Sequence, residues 1–233
     1  MITMDFTTTA CNRIDVIRKT YESFSKNLLG VDFKKCKLYI NVDPLPEPSL
    51  RQLEDICEMC WEFFGEVETN YPCTPNYTAA YKWLYTHAQT KLIFNLEDDW
   101  ILPKPIQIDV LTNAFEKNPN LYAASFRAYP HHYISIPTSP QVLHRRFYLP
   151  VGKGLDPTIN PEIQLRADKI PGIELPNKRS EHGRIIRMAG KGYIWPETGG
   201  SHNIVVKDIG REWIEKTTFK RPDSKESFTT WIK

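Results

Sequence analysis

Apolar and polar positions alternate between two rhythms over the first 127 residues. Residues 3–10 (TMDFTTTA) are rich in strand formers and predict a first strand. Ile14, Ile17, Tyr21, Phe24 and Leu28 then recur at helical spacing, with Asn12 as the expected cap and Gly30 just past the end. Residues 36–42 (CKLYINV) predict a second strand that delivers Asp43 at its end. Pro44 to Pro48 is a turn, and Ser49 followed by Gln52 fits a capping box. Leu50, Leu53, Cys57, Trp61 and Phe64 form the next helical stripe, closed by Gly65 and followed by a short strand at 66–70 (EVETN). Thr74-Pro75 is expected to open a third helix, carrying Tyr77, Ala80, Tyr81, Leu84 and Ala88. Residues 92–96 (LIFNL) are an apolar strand of the buried kind. A helix over 104–117, stopped at Asn118-Pro119, leads to a last strand at 121–126 (LYAASF).

Strands separated by helices predict an α/β domain with a mainly parallel central sheet flanked by helices. In such sheets ligands bind beyond the carboxyl ends of the strands. The rhythm breaks after residue 127. Residues 128–200 are dense in proline, glycine, arginine and histidine, and read as an irregular lobe over the sheet. Aromatics within it, among them Tyr129, Tyr133, Phe147, Tyr148, Tyr193 and Trp195, argue against disorder. Residues 209–217 read as a short final helix. The expectation is a single domain over 1–233, divided functionally near residue 127.

Composition narrows the classes. The chain has 233 residues, 41% of them hydrophobic, enough for a sizeable core. Thirty basic residues against 28 acidic ones give a net charge of +2, which is no nucleic-acid footprint. No apolar run is long enough for a transmembrane helix, and the first residues read as the approach to a strand rather than a leader. Five cysteines without a leader suit reduced thiols and a cytoplasmic setting. Cys57 and Cys60 stand three apart and share a helical face; no second Cys/His pair stands at zinc spacing.

The most informative segment is Glu97-Asp98-Asp99-Trp100, directly after the apolar strand. Three consecutive carboxylates at a strand end repel one another unless a cation or solvent compensates. Mg²⁺ and Mn²⁺ take carboxylate oxygens and bridge to substrate phosphates. The bland reading, a solvated acidic turn capping the next helix, is disfavoured by the apolar strand and the tryptophan on either side.

In its place after a buried strand, this triplet resembles the D-x-D-type motif of glycosyltransferases with the GT-A fold, in E-D-D form. Thr7-Thr8-Thr9-Ala10-Cys11-Asn12-Arg13 resembles the first strand and loop of family-two-like members, and Asn76 to Trp83 the helix preceding the metal strand. Asn160-Pro161-Glu162 is similar to an N-P-x-x-x-R segment of some members. The resemblance is good over about residues 3–127 and patchy beyond. It implies a single Rossmann-like GT-A domain: a nucleotide-sugar-binding half, 1–127, and an acceptor-side, metal-completing half, 128–233. It implies Mn²⁺ or Mg²⁺ on Asp99, with His202, behind Gly199-Gly200, completing the shell. The donor-binding set would be Thr8, Thr9, Ala10, Arg13, Asp43, Asn76, Ala80, Trp83, Glu97 and Asp98. The sequence departs from the common pattern in having Glu first in the triplet, which leaves the division of roles among the three open.

The implied activity is transfer of a sugar from a nucleoside-diphosphate sugar to a hydroxyl of a glycan or another acceptor. UDP is the first expectation for the nucleotide and GDP the next. Such chemistry needs a metal against the leaving diphosphate, basic side chains near it and, if configuration inverts, a carboxylate base. Arg13, Lys153, Arg184, Arg187 and Lys191 are the basic candidates. Asp156 and Glu162 are the leading base candidates, ahead of Asp168, Glu174, Glu181 and Glu197. Inverting and retaining chemistry both stay open. A sugar nucleotidyltransferase is the runner-up, disfavoured because residues 8–14 (TTACNRI) contain no glycine to cradle a triphosphate. A non-catalytic nucleotide-sugar or glycan-binding module is the third reading.

Overall fold

The computed structural model describes residues 3–117, 123–126, 140–165, 206–210 and 213. In chain order the elements are β1 (Asp5–Cys11), α1 (Ile14–Asn27), β2 (Leu28–Leu29), β3 (Lys37–Asp43), α2 (Leu50–Phe63), β4 (Glu66–Asn70) and α3 (Tyr77–His87). They continue with β5 (Leu92–Asn95), β6 (Trp100–Ile101), β7 (Ile106–Gln107), α4 (Ile108–Lys117), β8 (Ala123–Ser125), β9 (Gln141–His144), α5 (Arg145–Gly154), α6 (Pro161–Leu165) and β10 (Lys207–Asp208).

Six strands form the central sheet in the order β4-β3-β1-β5-β9-β8. The first four are mutually parallel, with Cys11 beside Asp43 and Phe6 beside Phe94. β9 runs antiparallel between β5 and β8, so β8 points the same way as β5. The predicted mainly parallel α/β sheet is therefore present, with one reversed strand inserted.

Both faces of the sheet are covered, as strands with nearly unbroken burial require. On β3, Leu38, Ile40 and Val42 enter one core with Phe6, Phe24, Phe64 and Phe94, while Tyr39 points to the other. That second core joins Tyr81, Leu84 and Tyr85 of α3 to Phe147, Tyr148 and Val151 of α5. Gly152 permits the contact between these helices, since a Cβ there would come within 2.6 Å of the Tyr85 Cβ.

Several boundaries differ from expectation, each for a local reason. Asn12 does not cap α1: its amide donates to the Glu47 carbonyl at 2.9 Å, and Arg13 takes the cap position without a side-chain bond to the helix's own N–H groups. α3 opens at Tyr77, not at Pro75, because the Asn76 side chain accepts from the Ala79 N–H. Ser49 does cap α2, accepting from the Gln52 N–H. α4 starts at Ile108 because Ile106–Gln107 is drawn into pairing with β2. Within the stretch expected to be irregular, β9, α5 and α6 are regular elements. Gly210 and Trp213, in the expected final helix, are helical. Among the described residues no helix is long and apolar enough to cross a membrane.

Candidate functional site

The parallel strands β1, β3 and β5 end side by side, and their ends assemble the site. Leu96 and Asp98 donate backbone N–H groups to Thr7 and Thr9 carbonyls, so the acidic triplet continues along β1 after β5 ends. This places Asp98 and Asp99 next to Cys11 at the end of β1 and to Arg13 just beyond it.

The three carboxylates have different surroundings. Asp98 is buried and anchored. Its Oδ2 accepts from the Arg13 Nε at 2.8 Å and the Cys11 N–H at 3.1 Å; its Oδ1 accepts from Arg13 Nη2. Its carbonyl accepts from the Thr20 hydroxyl at 2.7 Å. This is a forked arginine–carboxylate pair with side chains only 9% and 4% exposed, where such pairing is strongest. Glu97 is half-buried and turns toward α3. Its Oε1 accepts from the Tyr77 hydroxyl at 2.6 Å and, more weakly, from Tyr81 at 3.4 Å; its Oε2 accepts from the Trp100 indole N–H at 2.9 Å. Burial pushes the Glu97 carboxyl up, while Tyr77 and Trp100 oppose the shift.

Asp99 is the most accessible of the two carboxylates that Arg13 holds, its side chain 19% exposed. Its Oδ2 accepts from Arg13 Nη2 at 3.0 Å. Burial pushes its carboxyl up to about 7; Arg13 works against this, and Asp98, Glu97 and Asp208 add to it. The segment around β10 closes one side. Lys207 and Asp208 pair with Ile101 and Trp100 of β6, and the Ile209 N–H donates to the Asp99 carbonyl at 2.8 Å. The Trp213 ring lies 5.0 Å from the Arg13 guanidinium, a cation–π contact.

Asp43, at the end of β3, is buried. The Asn41 amide donates to its Oδ1 at 2.9 Å, and Asn70 in turn donates to Asn41 at 2.6 Å. Burial pushes its carboxyl up to about 6, with Asn41 and the Asn76 N–H opposing. Asn76 thus has three ties: it caps α3, its N–H faces Asp43, and its amide donates to the Pro157 carbonyl at 3.1 Å.

Of the anticipated residues, Arg13, Asp43, Asn76, Glu97, Asp98 and Asp99 gather at the strand ends, with Thr9 partly exposed beside them. Thr8 and Ala10 are buried within the sheet, and Ala80 is buried in α3. Trp83 lies further along α3, edge-on to Tyr39 and stacked on His87. Arg13, the basic candidate of the first loop, is paired with Asp98 and Asp99. Asp156 turns back on its own loop: its Oδ1 accepts from the Thr158 N–H and hydroxyl, which hold its carboxyl below the usual range. Glu162 lies in the first turn of α6, half-buried, and its charge adds to the upward shift that burial imposes on Tyr77 and Glu97. Lys153 is exposed on α5, and Tyr148 is core. His202, Asp168, Glu174, Glu181, Glu197, Arg184, Arg187 and Lys191 lie outside the described residues. Residues not anticipated are the Glu97 donors Tyr77 and Tyr81, together with Gly210, Trp213 and Gln164. Tyr77 and Tyr81 stand four apart, and that spacing could have marked a shared polar target, but it equally marks a core stripe.

Among the described residues no three His, Cys, Asp or Glu side chains are grouped to hold a metal. The donor set still suits a cation of another kind. Mg²⁺ and Mn²⁺ often use one or two carboxylates, keep waters and take their remaining oxygens from substrate phosphates. Asp99 is a hard, partly accessible donor of that type. Backbone alone borders it at Gly210, where a Cβ would stand 2.1 Å from its Oδ2.

No family model matches the chain, and no curated protein does. Solved structures similar to it include the mannosyltransferase PcManGT from Pyrobaculum calidifontis in complex with GDP-Man and Mn²⁺. That match has 12% identity and a TM-score of 0.46, covering 63% of this chain and 46% of that one. The apo glycosyltransferase GlyE of Streptococcus pneumoniae matches at 12% identity and TM-score 0.45, over 83% of this chain and 44% of that one. S. aureus TarS (residues 1–349) in complex with UDP-GlcNAc matches at 12% and 0.38, over 57% and 37%. The chain thus spans less than half the length of each of these three.

Proposed function

We propose that the chain is a metal-dependent glycosyltransferase that moves a sugar from a nucleoside-diphosphate sugar, UDP-linked by first preference, to an acceptor hydroxyl. The observation that carries the reading is the placement of Asp99. It is a partly accessible carboxylate at the carboxyl end of the central parallel strands, beside a buried Arg13–Asp98 pair, with β1 between its strand and the one that ends at Asp43. Ligands of parallel α/β sheets bind there.

Each residue has a separate task in this reading. Asp99 holds the cation, Mn²⁺ or Mg²⁺, which when bound offsets the charge of the departing diphosphate. Arg13 and the Cys11 N–H fix Asp98, which sets the direction of the backbone into Asp99. Asp43, steadied by Asn41, accepts from a nucleobase N–H or a ribose hydroxyl. Glu97, held by Tyr77 and Trp100, belongs to the donor-binding set in this reading. His202 would complete the metal shell from the carboxyl-terminal half.

The test is incubation with Mn²⁺ and a panel of UDP- and GDP-sugars. Release of nucleoside diphosphate, by transfer or slow hydrolysis, is the expected result. Release of pyrophosphate from a nucleoside triphosphate and a sugar phosphate would establish a nucleotidyltransferase instead. Binding without any release would leave a binding module.

A further inference from the structure

Arg13 serves two carboxylates from one nitrogen. Its Nε donates to Asp98 Oδ2 at 2.8 Å, and its Nη2 donates both to Asp98 Oδ1 and, at 3.0 Å, to Asp99 Oδ2. A terminal guanidinium nitrogen carries two hydrogens, so Nη2 has one for each carboxylate. The fork on Asp98 is the inner contact, and Asp99 is the more exposed partner. Asp98 is anchored besides by the Cys11 N–H and, through its carbonyl, by Thr20. The bond to Asp99 can therefore break while the fork on Asp98 stays whole. One segment borders the outer contact on both partners. Gly210 lies against the Asp99 carboxylate, and the Trp213 ring lies 5.0 Å from the guanidinium.

Charge decides what this arrangement does to a cation. Two carboxylates less one guanidinium leave the Arg13–Asp98–Asp99 group one net negative charge. A divalent ion on Asp99 meets a positive charge already bonded to the same carboxylate. That charge is permanent, because an arginine in a protein does not give up its proton. A diphosphate reverses the balance, since its oxygens bring negative charge to the open side of the ion.

Within the transferase reading, on which this inference rests, we propose that Arg13 is a built-in counter-charge on Asp99, so that the divalent cation and the nucleoside diphosphate enter the site as a mutually dependent pair. Arg13 holds Asp98 in place and competes with the cation for Asp99. Each ligand then strengthens the other by the same factor, as coupled binding requires.

The test follows Mn²⁺ binding to the full chain at pH 8 by electron paramagnetic resonance of the free ion. Titrations are run with Mn²⁺ alone and with saturating UDP or GDP, each corrected by a protein-free titration of the same nucleotide. Wild type is expected to bind Mn²⁺ about tenfold or more tightly with at least one nucleotide, within the usual range for coupled sites. Removing Arg13 alone strands Asp98 in the interior, so the variant combines Arg13→Met with Asp98→Asn. It leaves the net charge of the group unchanged and no buried ion unpaired. With Mn²⁺ alone it should bind at least about threefold more tightly than wild type, and its gain from nucleotide should shrink by a similar factor. A gain in metal affinity is not what loss of a merely structural pair produces. Circular dichroism checks that the double variant folds. If it does not, Arg13→Lys takes its place, because one ammonium nitrogen lacks the fork that spans both carboxylates, and the same direction is expected. Nucleotide-free Mn²⁺ affinity no greater than wild type in the folded variant, with the gain from nucleotide unchanged, overturns the proposal and leaves the transferase reading standing. Mn²⁺ affinity in wild type that neither nucleotide alters overturns both.

Discussion

Gly210 lies directly against the carboxylate of Asp99: a Cβ added to the glycine would stand 2.1 Å from Asp99 Oδ2 and 2.8 Å from its Cγ. The obstacle runs from the Oδ2 back to the Asp99 Cβ at 2.9 Å, so a substitution displaces the carboxylate from Arg13 and shifts the backbone that carries it. Gly210→Ala is therefore expected to reduce Mn²⁺-dependent nucleotide affinity at least about tenfold and to lower the thermal midpoint. Calorimetry and a melting curve on the same preparation check both halves.

Arg13 and Asp98 form a pair with almost no solvent exposure. Removing one partner of a buried pair leaves the other uncompensated, which costs about 3–5 kcal/mol. Arg13→Leu should lower stability by that amount in urea unfolding. Arg13→Lys keeps the charge but loses the fork, and should fall between the two.

Asp43 supplies a pH signature. Its carboxyl is pushed up to about 6 in the fold by burial, against about 3.9 in an unfolded chain. The folded state therefore binds more protons than the unfolded state between those values. The associated stability is fully present below about pH 4 and is lost as pH rises through about 6. Asp43→Asn removes the titration. The variant and wild type should be similar in stability at pH 4, and the variant should be more stable at pH 8 by up to about 3 kcal/mol. Denaturant unfolding at the two pH values checks the sign.

Metal affinity should rise with pH because a proton and a cation compete for Asp99, whose carboxyl is pushed up to about 7. Mn²⁺ binding followed by electron paramagnetic resonance should strengthen between pH 6 and pH 8. Asp99→Asn should remove that dependence.

Much of this architecture was readable because strand and helix patterns were strong. Leu38, Ile40 and Val42 against Tyr39, and Ile17, Tyr21 and Phe24 on α1, declare their elements without tertiary help. β9 was not readable. Its Gln141 and His144 are buried polar residues, and they hide a strand that lies inside the sheet. α5 was masked by Pro150 within it and by Gly152, which serves contact with Tyr85. Asn12 carried a cap signal but is used by Glu47, a partner 35 residues away. The acidic triplet was legible as a site, yet the division of labour within it was not. Which oxygen faces Arg13, which faces Tyr77 and which is left to solvent follow from contacts between residues far apart in sequence.

The most direct measurement of the central claim is a calorimetric titration of UDP and of GDP into wild type and Asp99→Ala, each with and without Mn²⁺. Mn²⁺ is expected to strengthen binding of at least one nucleotide to wild type, and Asp99→Ala to abolish this enhancement while its circular dichroism stays that of the folded protein. An enhancement of equal size in folded Asp99→Ala would contradict it.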